Sequence, residues 1–92
     1  SDCAGRWGGE EFVILLPNTT LQDAIVAAEK IRNTIENLCI EQDDLSVKFT
    51  ATVGVAEIKQ GESFDQCLAR ADNLLYQGKE QGRNRVVWEG RY

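Results

Sequence analysis

Phe12-Val13-Ile14-Leu15-Leu16 carries no polar residue at either parity. Successive side chains of a strand point to opposite faces, so this run has no side that it can leave in water. It predicts a strand buried on both faces, and the rest of the chain has to supply the cover. Pro17-Asn18 ends the run. Gly8-Gly9-Glu10-Glu11 precedes it, and a glycine pair between apolar segments predicts a turn. With Cys3 to Trp7 as a short first strand, residues 3–16 read as a β-hairpin.

The cover comes next. Thr19 and Thr20 are candidate N-caps, with Gln22 and Asp23 at capping-box spacing. Leu21, Ala24, Ile25, Ala28, Ile31, Ile35 and Leu38 then recur at helical spacing and predict an amphipathic helix over about 20–39. Glu41 to Ser46 reads as an acidic, solvated loop. Val47, Phe49, Ala51, Val53 and Val55 share one parity and predict a strand over about 47–58. Gly54 in its middle signals a bulge or a close backbone approach. Ser63 and Gln66 repeat the capping-box spacing, and Phe64, Leu68, Ala71, Leu74 and Leu75 give a second helix over about 64–81. Gly82 suits its C-cap, and 85–88 forms a last strand. The order β-turn-β, α, β, α, β predicts an α/β (α+β) domain, a two-layer sheet with helices packed on it.

Composition narrows the chemistry. The chain has 92 residues, one small domain at most. No run approaches the roughly 18 apolar residues of a membrane span, and Ser1-Asp2-Cys3 does not open a signal peptide, so a soluble domain is expected. Ten basic against fifteen acidic residues give a net charge of -5, which argues against nucleic acid gripped on a broad basic face. Residues 1–63 hold five basic and eleven acidic residues, and residues 64–92 hold five and four, so an anion such as phosphate fits the C-terminal third best. Histidine is absent, which excludes a Ser-His-Asp triad, a Cys-His pair and His-ligated metal. Cys3, Cys39 and Cys67 form no C-x-x-C and suit small buried thiols in a reducing cytoplasm. Any metal chemistry must use carboxylates and hard cations such as Mg2+ or Mn2+.

Two clusters carry chemistry. Glu10 and Glu11 sit at the foot of the apolar strand, beside glycines that let a ligand approach the backbone. Spacing alone is satisfied by a solvated hairpin tip; adjacent hard oxygen ligands also suit a metal-nucleotide turn. Lys79-Glu80-Gln81-Gly82-Arg83-Asn84-Arg85 gathers three cations at a helix C-terminus. They complement the helix dipole, or they clamp a phosphate.

Arg6-Trp7-Gly8-Gly9-Glu10-Glu11-Phe12 closely resembles the signature of the GGDEF family, the diguanylate cyclases, in its GGEEF variant. Val13 to Pro17, Ala28-Glu29-Lys30-Ile31-Arg32, Thr52-Val53-Gly54-Val55-Ala56 and Arg70 through Asn84 resemble the strand, helix, later strand and closing helix and loop of that family at the right spacing. The resemblance implies a palm-like, ferredoxin-related sheet and an activity: joining two GTP molecules into cyclic di-GMP with Mg2+ or Mn2+. Two such domains face each other as a homodimer, under a regulatory or sensory domain elsewhere in the parent protein. It implies that Gly8 and Gly9 pass close to the nucleotide. Glu10 would bind metal and help activate the attacking hydroxyl, Glu11 would support metal binding, and Lys79 and Arg83 would hold terminal phosphates. Asp2 falls at the aspartate of an R-x-x-D product-inhibition site, and Lys30 at a basic residue that helps hold inhibitory product. A frayed terminal acid and an exposed helix lysine are the plainer readings of those two.

Two departures from the family pattern matter. Gly78 replaces a small helix former, at up to about 1 kcal/mol in a helix interior. The family's first strand and first helices, with a metal aspartate and the guanine-reading residues, have no counterpart in these 92 residues. That strand lies between Phe12–Leu16 and the strand around Val53, so both are expected to show unpaired apolar edges. Another chain then fills the gap, or the sheet rearranges, or the working protein is longer. The implied function is an active cyclase domain, inactive as this piece alone. The alternative is a degenerate module that binds GTP or cyclic di-GMP without making it.

Overall fold

The computed structural model describes residues 6–16, 20–42 and 45–89. In chain order they form β1 (Arg6–Leu16), α1 (Leu21–Glu36), β2 (Cys39–Gln42), β3 (Leu45–Glu57), α2 (Phe64–Glu80) and β4 (Arg85–Trp88). The α/β class expected from the sequence holds, and three details of the architecture differ.

The turn expected at Gly8-Gly9 is absent. β1 is one strand of 11 residues running straight through the glycines. Every residue from Arg6 to Leu16 has a parallel partner on β3, from Val47 to Glu57. A continuous ladder satisfies more backbone groups than a short hairpin arm, and glycine adopts extended backbone readily. This pairing also settles the edges expected to be bare, since the apolar run and the strand around Val53 hydrogen-bond to each other. β2 and β4 share the other edge of β3. β2 runs antiparallel to Leu45–Lys48, and β4 runs parallel to Thr52–Val55.

The second difference is the number of layers. Ala51, Val53 and Val55 of β3 pack with Ala24 and Ala28 of α1, and Ile14 and Leu16 of β1 join them. Ala56 packs on the other face with Cys67, Ala71 and Leu74 of α2, joined by Val13 and Leu15. The helices therefore cover opposite faces, giving three layers where two were expected. The apolar run favours this, because a strand with no polar side needs cover above and below; the cover extends over Val13 to Leu16, while Phe12 at the start of the run is exposed. The third difference is β2, which occupies part of the expected acidic loop and shortens α1. Asn37 ends the helix, its N–H and its side-chain amide both donating to the Asn33 carbonyl. Ile31 and Leu38 lie outside the apolar face assigned to them and are exposed.

Local signals held where they were local. Thr20 caps α1, its hydroxyl accepting from the Asp23 N–H; Thr19 lies outside the described residues. Ser63 and Gln66 form a reciprocal capping box on α2. Cys67 is fully buried, and burial pushes its thiol pKa up. Gly78 is buried where α2 crosses β3 and β4, and a Cβ there would stand 2.9 Å from the Thr52 methyl and 3.0 Å from a Val87 methyl. Close approach of helix to sheet explains this glycine.

The start of α2 is tied to the strand ends by Arg70, which donates to both carboxylate oxygens of Glu62 at 2.7 Å, to Glu89 at 2.6 Å and to the Glu57 carbonyl. The Arg70 bonds to its carboxylate, and then the Lys59 N–H, lower the Glu62 pKa from 4.5 to about 2. A depressed carboxylate contributes stability that is present above its unfolded pKa and lost as pH falls through its folded one. A Glu62→Gln variant should thus melt below the native protein at pH 6, and the two midpoints should converge as pH falls from 4.5 toward 2. Parallel melting curves across a pH series would contradict this assignment.

Candidate functional site

β1 carries the motif along β3, with Gly9 beside Thr50, Glu10 beside Ala51 and Glu11 beside Thr52. Strand alternation sends the two acids to opposite faces. Glu11 lies on the α2 face. There Lys79 Nζ, in the last turn of α2, stands 3.2 Å from Glu11 Oε1, and Arg83 Nη1 stands 3.9 Å from Oε2. Sixty-eight positions separate Glu11 from Lys79, and the fold closes that distance. Glu10 is exposed on the α1 face. Gly9 is exposed too, and a Cβ built on it would meet nothing within 4 Å. The fold itself does not require glycine there.

The cations are presented by a helix stop. Gly82, at φ +117, donates its N–H to the Lys79 carbonyl, and the Arg83 N–H reaches the Gly78 carbonyl at 2.9 Å. These are the two bonds of a Schellman motif. Arg85 Nε then donates to the Arg83 carbonyl at 3.0 Å. The Arg83 side chain is 54% exposed and that of Lys79 30%, so both can meet a soluble anion. Carboxylate oxygens suit a hard cation, but no group of three or more metal-ligating acids or thiols forms among the described residues. The strand presents Glu10 as a single carboxylate, opposite Glu11.

The remaining sequence candidates are placed as follows. Gly8 is within β1, opposite Phe49. Lys30 is exposed on α1. Asp2 lies outside the described residues. Sequence reasoning overlooked Asn84, which bonds to Arg32 and Glu36 of α1 and to Thr52 of β3. Its amide, followed by the Arg32 guanidinium, lowers the Glu36 pKa. Arg32 in turn is held more firmly charged by Glu29 and Glu36, against the opposing effect of its burial. A hollow of about 290 Å3 lies apart from the motif, between Leu21, Val55, Glu57, Arg70 and Glu89. Lys59 and Arg70, its two cations, are both paired with Glu89.

An α/β unit with helices on both faces thus sets one acid of the motif strand, Glu11, against two cations at a helix stop. The chain belongs to the GGDEF family, whose model, described as diguanylate cyclase, GGDEF domain, matches residues 1–85. It is 44% identical over 86 residues to diguanylate cyclase DgcM of Escherichia coli K12, covering 94% of this chain and 20% of that protein. It is 40% identical over 88 residues to diguanylate cyclase A of Treponema denticola, covering 95% and 24%. It is 38% identical over 89 residues to the response regulator PleD of Caulobacter vibrioides, covering 94% and 20%. The chain thus spans between 20% and 24% of the length of these relatives. No solved structure matches it. No described helix is long and apolar enough to cross a membrane.

Proposed function

We propose that residues 1–92 belong to a nucleotidyltransferase domain that condenses two GTP molecules into cyclic di-GMP. The observation that carries this is the meeting of Glu11 with Lys79 and Arg83 beside the open backbone of Gly9. Lys79 and Arg83 bind the terminal phosphates, releasing Glu11 from its ion pairs, which at this exposure are worth about 0–1 kcal/mol each. Gly8 and Gly9 let the nucleotide lie against β1. The 3'-hydroxyl of one GTP attacks the α-phosphate of the other. A new O–P bond forms, the bond to the β-phosphate oxygen breaks, and pyrophosphate leaves. The same exchange in the other direction closes the ring. Positioning and charge neutralisation supply most of the rate in such transfers.

Glu10, with Glu11 in support, is the carboxylate this chain offers to Mg2+ or Mn2+, and phosphate oxygens supply further ligands. When bound, the ion neutralises phosphate charge and acidifies the attacking hydroxyl. A second domain of the same kind supplies the second GTP, and a regulatory or sensory domain governs the pair, as the name of the response regulator relative suggests. GTP chemistry places the domain in the cytoplasm. Asp2 and Lys30 are candidates for holding inhibitory product. Residues 1–92 alone are inactive on this reading, because Glu10 and Glu11 face opposite sides and no third ligand joins them among the described residues. That same separation favours the second reading, a module that binds GTP or cyclic di-GMP without catalysis.

The test is to incubate the full-length protein that carries this chain with GTP and Mg2+ and to resolve the products by chromatography. Cyclic di-GMP and pyrophosphate are expected from it, and neither from residues 1–92. GTP binding without product would establish the binding module instead.

A further inference from the structure

Gly82, Arg83 and Asn84 follow one another with φ of +117, 61 and 48. Glycine adopts this left-handed region freely, and asparagine tolerates it. For arginine it costs on the order of 1–2 kcal/mol, and such a conformation persists only where its surroundings over-determine it. The Arg83 N–H is fixed by the Gly78 carbonyl. The peptide that follows is fixed by Asn84, whose N–H donates to Thr52 Oγ1 at 3.1 Å. Thr52 is 2% exposed, so this bond satisfies a hydroxyl that water does not reach.

The Asn84 side chain uses both ends of its amide. Oδ1 accepts from Arg32 Nη1 at 3.0 Å, and Nδ2 donates to Glu36 Oε2. Arg32 is itself pinned by Glu29 at 3.0 Å and Glu36 at 2.9 Å. Three elements that are remote in sequence, the last turns of α1, the middle of β3 and the stop of α2, therefore meet on one residue. The residues nearest to it in size or in backbone tolerance could not do all of this. Aspartate has no donor for Glu36, glycine has no side chain, and alanine lacks both the amide and the tolerance of positive φ.

We propose that Asn84 is a positioning residue: it locks the left-handed turn that delivers Arg83 to Glu11, and Arg32 and Glu36 are its anchors on α1. The inference rests on reading Arg83 as a phosphate ligand. Asn84 then acts on the nucleotide only through Arg83, and it ties phosphate affinity to the seating of α1.

The two residues are separable by a double-mutant cycle in the full-length protein, with GTP affinity and steady-state kinetics as readouts. Asn84→Gly keeps the left-handed backbone and removes the amide. It should weaken GTP binding about fivefold, mainly in KM, with kcat within about twofold, in keeping with loss of uniform binding. Arg83→Ala should weaken binding about tenfold. In the Arg83→Ala background, Asn84→Gly should add less than about twofold, because its target is gone. If Asn84→Gly fails to fold, Glu36→Ala replaces it, since it removes one anchor from a partly exposed helix position that favours alanine. Independent, multiplicative losses would overturn the positioning role while leaving the nucleotide reading intact. A full-length protein that neither binds nor consumes GTP would overturn both.

Discussion

Replacing Glu10 by alanine in the full-length protein is expected to lower cyclic di-GMP formation by about a hundredfold to a thousandfold, the range seen when one preorganised charge-stabilising group is removed. The fold should not notice. Glu10 is exposed on β1, and among the described residues no ion pair or side-chain hydrogen bond involves it, so the melting temperature should stay within the roughly 0.5 kcal/mol of an ordinary surface substitution. Glu11 is expected to behave differently. Its ion pairs to Lys79 and Arg83 mean that its removal frees two cations as well as losing a carboxylate. Glu11→Ala should therefore loosen metal binding while leaving the phosphate clamp unopposed, with a smaller net loss than Glu10→Ala. The decisive comparison is product formation together with Mn2+ affinity measured by calorimetry in the presence of GTP. A Glu10→Ala protein that matched the native rate would remove Glu10 from the chemistry, whatever the state of the fold.

Signals whose partners lie within a turn or two were readable from sequence. The Ser63–Gln66 box, the Thr20 cap and the β4 bounds follow from a few adjacent residues, and Ala51, Val53 and Val55, which share one parity in the sequence, share one core cluster in the fold. Of the two expectations at Gly54, a bulge or a close backbone approach, the fold shows the close approach. Long-range pairing was not readable. A glycine pair is equally at home in a turn and in an extended strand, and what decided was eleven partners on β3, a competitor that no local rule weighs. β2 escaped because charge made Glu41–Gln42 look solvated, although Asp43-Asp44 is itself a turn signal. The number of layers follows from the apolar run up to Leu16, which needs cover on both faces, and not from the order of elements, which is compatible with two layers or three. Glu11, Lys79 and Arg83, which the sequence singles out in two separate clusters, are brought together by the fold. Asn84 went unseen as a hub because its partners at 32, 36 and 52 come from other elements.

Gly54→Ala should be among the most destabilising single-methyl changes this chain can suffer, by about 2–4 kcal/mol, the upper range for overpacking a close-packed core. Gly54 is not in the left-handed region, so the demand is spatial. A Cβ there would stand 2.5 Å from the Ala71 carbonyl oxygen, 2.9 Å from the Leu75 nitrogen and 3.3 Å from the Leu75 Cα. All three are backbone atoms of α2, which cannot rotate aside as a side chain does. Relief requires lifting the helix, and that opens the packing of Cys67, Ala71 and Leu74 against Ala56 and Val87. Gly78→Ala is the control. Its Cβ would meet side-chain carbons, the methyls of Thr52 and Val87 at 2.9 and 3.0 Å and Arg85 Cγ at 3.6 Å, and alanine there gains about 1 kcal/mol of helix propensity. Strain and propensity nearly offset at Gly78, whereas at Gly54 a strand position recovers at most about 0.5–1 kcal/mol from replacing glycine. In a domain of this size 1 kcal/mol moves the melting point by roughly 4–8 °C. Thermal unfolding followed by circular dichroism should thus place Gly54→Ala at least about 8 °C below native, with Gly78→Ala much closer to it. Equal melting points for the two variants would mean that α2 does not bear on β3 at Gly54, and the three-layer packing would have to be redrawn.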